Sequence, residues 1–133
     1  MLGVLMANAL EDERLRGVSF TAVVPVPLYF LREREREFNQ ASLLAYEVAK
    51  KLNLPVEACL KRVKPTSMQA RANRQARIKN LQGAFAIKKG YRCSGNYLLI
   101  DDVFTTGSTA DECSKVLLKS GARGIWVLAA ARS

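Results

Sequence analysis

Residues 98–109 read LLIDDVFTTGST: an apolar run, two adjacent carboxylates, then small hydroxyl residues around one glycine. Ionised, Asp101 and Asp102 can only accept hydrogen bonds. Thr105, Thr106, Ser108 and Thr109 offer hydroxyl donors without bulk, and Gly107 lets a backbone approach a ligand closely. Where such a loop opens a helix, its unpaired N–H groups carry partial positive charge and can wrap a phosphate. The aspartates would repel that phosphate, so they need a different neighbour, either the vicinal hydroxyls of a sugar or a hydrated Mg2+ held through water. A phosphate cup beside acceptors for a diol describes a ribose 5-phosphate unit. Two other readings compete. LLIDD also has the form of a Walker B strand, but the G-x-x-x-x-G-K-[ST] loop such a site requires is absent. The plainest alternative is a strand–turn–helix in which Asp102 only caps the helix.

These residues need elements to position them. The run 20–28, FTAVVPVPL, reads as a buried strand ended by Pro25 and Pro27. Asn39 is a good N-cap for a helix over 40–52, where Leu44, Val48 and Leu52 form a stripe and Asn53 and Pro55 stop the turn. Short strands are expected over 56–60 and 83–87, with a helix over 74–81 capped by Asn73 between them. A strand over 97–100, a helix over 109–120 closed by Gly121 and a strand over 125–130 complete the pattern. Residues 2–16 have the spacing of an amphipathic helix. Strands alternating with helices predict an α/β domain with a mostly parallel central sheet flanked by helices.

The chain has 133 residues, which suits one domain, and its formal charge is +9. That charge is concentrated. No acidic residue lies between Ala58 and Ile100, while Lys61, Arg62, Lys64, Arg71, Arg74, Arg77, Lys79, Lys88, Lys89 and Arg92 do. A block of one sign attracts polyanions or serves as a solvated face. The chain has no histidine, so histidine base catalysis and histidine metal ligation are excluded within it. Cys59, Cys93 and Cys113 are widely spaced with no CxxC, and they read as small, partly buried thiols. The N-terminal charges follow the apolar residues, the wrong order for a secretory signal, and no apolar run is long enough to span a membrane. The expected address is the cytoplasm, without membrane insertion.

IDDVFTTGST resembles the phosphoribosyl pyrophosphate (PRPP) signature of type I phosphoribosyltransferases. More narrowly, the chain resembles the ComF/GntX family of competence-associated phosphoribosyltransferase-like proteins. The resemblance rests on VVPVPL at 23–28, FNQASLLA at 38–45, Gln69, Arg77, Asn80, GAF at 83–85 and the signature at 100–109. It covers about residues 19–132 of the one domain, 1–133. It implies a single-domain type I phosphoribosyltransferase fold. It also implies Mg2+-dependent transfer of a 5-phosphoribosyl unit from PRPP to an acceptor, with release of pyrophosphate. By the resemblance, Asp101 and Asp102 meet the ribose hydroxyls, and Thr105, Thr106, Gly107, Ser108 and Thr109 hold the 5-phosphate. Arg36 is the first of the cations Arg32, Arg34 and Arg36 to meet the pyrophosphate. No metal ligand beyond Asp101 and Asp102 is implied.

The chain departs from the family pattern at three places. Glu37 stands where a glycine is usual in REFNQ, and Arg71-Ala72-Asn73 stands where GLS is common. The family's N-terminal zinc module is absent from the sequence. The resemblance also carries a link to natural competence and DNA uptake, and with it competence-machinery proteins as partners. An alternative function follows from the same residues. A PRPP-responsive module without catalysis would bind single-stranded DNA through Arg71, Arg74, Arg77 and Lys79.

Overall fold

The apolar run before the aspartates is the central strand of the molecule. The computed structural model describes residues 2–6, 17–27, 40–64, 81–104 and 108–132. Its elements are β1 (Leu2–Met6), β2 (Phe20–Pro25), α1 (Gln40–Leu52), β3 (Leu60–Arg62), β4 (Phe85–Ile87), β5 (Gly95–Phe104), α2 (Ser108–Lys119) and β6 (Ala122–Arg132). A four-stranded sheet has the order β1-β6-β5-β2, and every pairing in it is parallel. Beyond β2, Val23 bridges Val56 in parallel, with the Val23 N–H on Pro55 O and the Glu57 N–H on Val23 O, both at 2.9 Å. The α/β class and parallel sheet read from the sequence are therefore present.

Period-two alternation gives β5 two buried faces. Leu98 and Ile100 join Val23, Leu128 and the α1 residues Ala45, Val48 and Ala49 on one face. Tyr97 and Leu99 join Val24, Ile125, Val127 and the α2 residues Ala110, Cys113 and Leu117 on the other. Helix α1 covers the first face. Helix α2 and the antiparallel pair β3–β4 cover the second. From β2 the chain crosses through α1 to the outer position at Val56. From β5 it crosses through α2 in the opposite direction, to β6. Right-handed crossovers that diverge in this way place their helices on opposite faces. The sheet consequently has a topological switch point between β2 and β5.

Several boundaries differ from expectation. Residues 2–6 form an edge strand in register with Ile125–Ala129, where an amphipathic helix was expected over 2–16. The open side of β6 supplies a ladder, and tertiary pairing overrides the local spacing. Strand β2 stops at Pro25. The alternation that turns the Val26 N–H onto Ile100 O at 2.8 Å turns the donorless nitrogen of Pro25 away from β5, past the end of the Val56 bridge. The strand expected over 56–60 is only the Val56 bridge, and β3 begins at Leu60. Strand β5 continues beyond the expected Ile100 to Phe104 because β6 pairs with it as far as Arg132. Helix α1 has the expected bounds. Asn53 takes a left-handed φ of 57°, and the Leu54 N–H closes on Ala49 O at 2.9 Å, a Schellman-type stop. The helix expected over 74–81 lies outside the described residues except at Leu81.

Candidate functional site

Ligands of open α/β sheets sit outside the carboxyl ends of the strands at a switch point. Here that place is a step. Strand β2 ends opposite Ile100, and β5 runs on alone against β6, Asp101 pairing with Ala129. Asp101 is therefore the first β5 residue without a β2 partner, and Asp102 follows it in the strand. Asp101 is only 8% exposed, and in alternation it shares the face of Tyr97 and Leu99, under α2. It has interactions of its own.

Helix α2 begins four residues after β5 ends, so its first turn stands over the same end of the sheet. Ala110, Cys113 and Leu117 recur at helical spacing and are buried, which fixes this face against β5 and β6. The Cys113 thiol is pushed well up first by burial, next by the negative charge of Asp101, and is drawn back by the positive charge of Arg62. One buried thiol thus lies within electrostatic reach of both an aspartate from the central strand and an arginine from the hairpin.

The hairpin explains how Arg62 gets there. Residues 59 and 88 form one end of the β3–β4 ladder, where the Lys88 N–H meets Cys59 O at 2.8 Å. That end sits beside the start of β5 and the end of α2, because the Cys93 N–H meets Ser120 O at 3.0 Å and Cys59 neighbours Cys93. The opposite end, at Arg62–Val63 and Ala84–Phe85, is then directed toward the carboxyl end of β5. There the Val63 N–H bonds Ala84 O at 2.6 Å, Lys64 Nζ donates to Gln82 O at 2.7 Å, and Arg62 Nε donates to Lys64 O at 2.9 Å. The Arg62 guanidinium lies 5.4 Å from the centre of the Phe85 ring. Burial holds its pKa below the ordinary arginine value.

Of the residues singled out in the sequence, Asp101, Asp102, Ser108 and Thr109 fall at this end of the sheet. Thr105, Thr106, Gly107, Arg32, Arg34, Arg36, Asn39, Arg71, Arg74, Arg77 and Lys79 lie outside the described residues. Cys59, Cys93 and Cys113 are 2%, 7% and 0% exposed, so these thiols are buried more completely than the partial burial expected of them. Sequence reasoning missed Arg62 and Cys113. Arg62 was one cation among many in a basic block, and only the β3–β4 register shows which end of the hairpin it occupies. Cys113 carried one signal, its place in the helical stripe 110, 113, 117. Among the described residues, no helix is long and apolar enough to cross a membrane, and no cluster of three or more acidic or cysteine side chains could cage a metal.

No protein-family model matches the chain. It is 41% identical over 115 residues to Competence protein F of Haemophilus influenzae, covering 84% of this chain and 50% of that protein. It is 30% identical over 126 residues to the DNA utilization protein YhgH of Escherichia coli K12, covering 93% and 55%. Competence protein ComFC of Bacillus subtilis is 35% identical over 99 residues, covering 74% and 39%. The chain spans about half the length of the first two of these relatives.

Proposed function

The chain belongs to the ComF family, and from that membership and its switch-point site we propose that it binds PRPP with Mg2+ on a type I phosphoribosyltransferase fold. The 5-phosphoribosyl unit then passes to an acceptor. The observation that carries this reading is the step beside Asp101, where one strand ends, a carboxylate follows and a helix starts within a few residues. Carboxylates at that step accept hydrogen bonds from the two ribose hydroxyls and fix the ring. Unpaired amides at the start of α2, with the hydroxyls of Ser108 and Thr109, attract the 5-phosphate. With the ring fixed, the nitrogen lone pair of an acceptor attacks C1. The C1–oxygen bond to pyrophosphate breaks, its electrons leave with the pyrophosphate, and the nitrogen loses its proton to solvent. Positioning and charge placement supply the catalysis, and no histidine is required.

A hydrated Mg2+ fits this donor set if it arrives on the ligand's own phosphate oxygens, with Asp101 and Asp102 as the carboxylates available through water. When bound it supplies charge neutralisation of the leaving group. The chain's part is to hold the sugar, and for Arg36 to meet the pyrophosphate.

Thermal melts with PRPP and Mg2+ test binding. Ligand at 100 times its dissociation constant adds about 2.7 kcal/mol to stability. Turnover is tested by following pyrophosphate with a panel of bases and amines, and release that depends on one acceptor supports transfer. An unshifted melt at millimolar PRPP rejects the reading.

The relatives' names give a second reading its support, because one is a DNA utilization protein and two are competence proteins. In this reading the basic block around Arg71, Arg74, Arg77 and Lys79 holds a single DNA strand while PRPP regulates it. Each neutralised phosphate contributes a salt slope of about −0.7. Affinity for a labelled single strand that is the same at low and high salt rejects it.

A further inference from the structure

Arg62 is a half-buried cation whose surroundings are described on three sides. Its Nε is spent on Lys64 O, and its plane is held near the Phe85 ring. Its charge reaches Cys113, the thiol that also feels Asp101. Among the residues whose side chains the structure describes, no carboxylate lies within ion-pair distance of it. Beyond Nε, the two Nη groups form a pair of parallel donors of fixed spacing, the geometry that matches two oxygens of one carboxylate or phosphate. Partly desolvating a cation is costly unless an anion answers it. Exposed Lys61, the preceding residue on the same strand, shows how a merely solvated cation of this hairpin sits.

Resting on the reading that PRPP occupies the switch point, we propose that Arg62 binds the second ligand of that site, and that this ligand carries an oxyanion pair. The acceptor class is then a nitrogen nucleophile bearing a carboxylate or a phosphate, rather than a neutral base. It enters at the Arg62–Phe85 end of the β3–β4 pair, beside the second turn of α2. PRPP takes the far side of the step, toward β2. Phe85 sets the direction of the fork, and the Lys64 carbonyl sets its rotation about the stem. The carboxylate and phosphate versions of the acceptor share this recognition and differ only in what else they touch.

The test uses the full chain and two probes, 2-aminobenzoate for the carboxylate and 2-aminoethyl phosphate for the phosphate. Each is titrated by calorimetry with PRPP and Mg2+ present and again without them. The variants are Arg62→Met, which keeps a stem over Phe85, Arg62→Lys, which keeps the charge without the fork, and Lys61→Met as a control for net charge. Wild-type protein is expected to bind at least one probe, and which one binds identifies the anion. Arg62→Met should lose at least ten times more affinity for that probe than for PRPP. Arg62→Lys should fall between, and Lys61→Met should bind the probe like wild type. Equal losses for probe and PRPP would place Arg62 on PRPP itself and overturn the proposal. So would unchanged probe binding in Arg62→Met, an equal loss in Lys61→Met, or a wild-type protein that binds neither probe. If wild-type protein fails to bind PRPP, the reading of the previous section falls. The Arg62 claim is then still decided by the wild-type and Arg62→Met titrations without PRPP. Melting curves of each variant show that it is folded. If Arg62→Met does not fold, the comparison of Arg62→Lys with Lys61→Met decides.

Discussion

The β3–β4 hairpin puts a buried thiol near each of its ends, and the two ends are built on opposite principles. At the amino end of β5, Cys59 and Cys93 lie among phenols. The Tyr91 and Tyr97 hydroxyls are 3.4 Å apart, and the Ser94 N–H donates to Tyr97 Oη at 3.0 Å. Burial pushes both thiols up, and the neighbouring tyrosine hydroxyls draw them part of the way back. At the carboxyl end, Cys113 is also pushed up by burial, but its neighbours are an aspartate and an arginine. Neutral polar groups that bond one another can be buried at little cost. Charged groups carry a larger desolvation cost when partly buried than neutral ones do. The amino end is finished as a structure. The carboxyl end sets an aspartate and an arginine about one buried thiol, and the proposed ligand is assigned to that end.

The largest effect that separates the ends is on binding. Asp101→Asn with Asp102→Asn removes two charged acceptors. At roughly 1.5–3 kcal/mol for each charge-assisted bond, PRPP affinity should fall by about a hundredfold or more. Calorimetry with Mg2+ reads it, and a loss below tenfold would mean that the step at Ile100 is not the ribose site. Next comes a stability effect confined to the amino end. Gly121 closes α2 at a φ of 116°, and an added Cβ would stand 2.5 Å from Cys93 O. Because the clash is with backbone and the conformation is one that side chains avoid, Gly121→Ala should cost about 2–3 kcal/mol. A lowered urea midpoint measures this, and PRPP affinity should change far less than in the double aspartate variant.

How much of this contrast the sequence showed depends on how local its causes are. Helix α1 was legible because its stripe and its stop at Asn53 are local features. Asp101 and Asp102 were legible because a carboxylate pair before a threonine–glycine loop is a short pattern with its own chemistry. Pro25 marked the end of β2 correctly, since a missing N–H is a local fact. Residues 2–6 misled because their pairing with Ile125–Ala129 is set by residues more than a hundred positions away. Arg62 was hidden for the same reason. Its spacing from Lys61 and Lys64 gives no hint that its partner strand starts at Phe85, or that the ladder turns this end toward Asp101. The tyrosines and cysteines of the amino end became a cluster only once β5, the hairpin and the end of α2 were side by side.

A smaller effect tests whether the neutral cluster is a unit. Tyr97→Phe leaves the Ser94 N–H without its acceptor and takes a hydroxyl from both Tyr91 and Cys93. A cost of about 1–2 kcal/mol is expected, read as a shift in urea midpoint with no change in PRPP affinity.

The last effect is a pH dependence that belongs to the amino end. Cys59 is pushed up to about 11, mainly by burial and then by Cys93, against about 8.5 for a cysteine in an unfolded chain. A pKa raised on folding means that the unfolded chain gives up this proton first as pH increases. The stability it contributes is therefore complete below about pH 8.5 and is lost as pH rises toward 11, with a limiting slope of about 1.4 kcal/mol per pH unit for one proton. Urea midpoints at pH 8, 9.5 and 10.5 should fall along this course, and Cys59→Ala should flatten it relative to wild type. The double aspartate variant should keep the wild-type slope, because its changes lie at the other end of the sheet. If Cys59→Ala declines as steeply as wild type, the alkaline loss comes from elsewhere, and the division of the hairpin into a neutral end and a charged end would not survive.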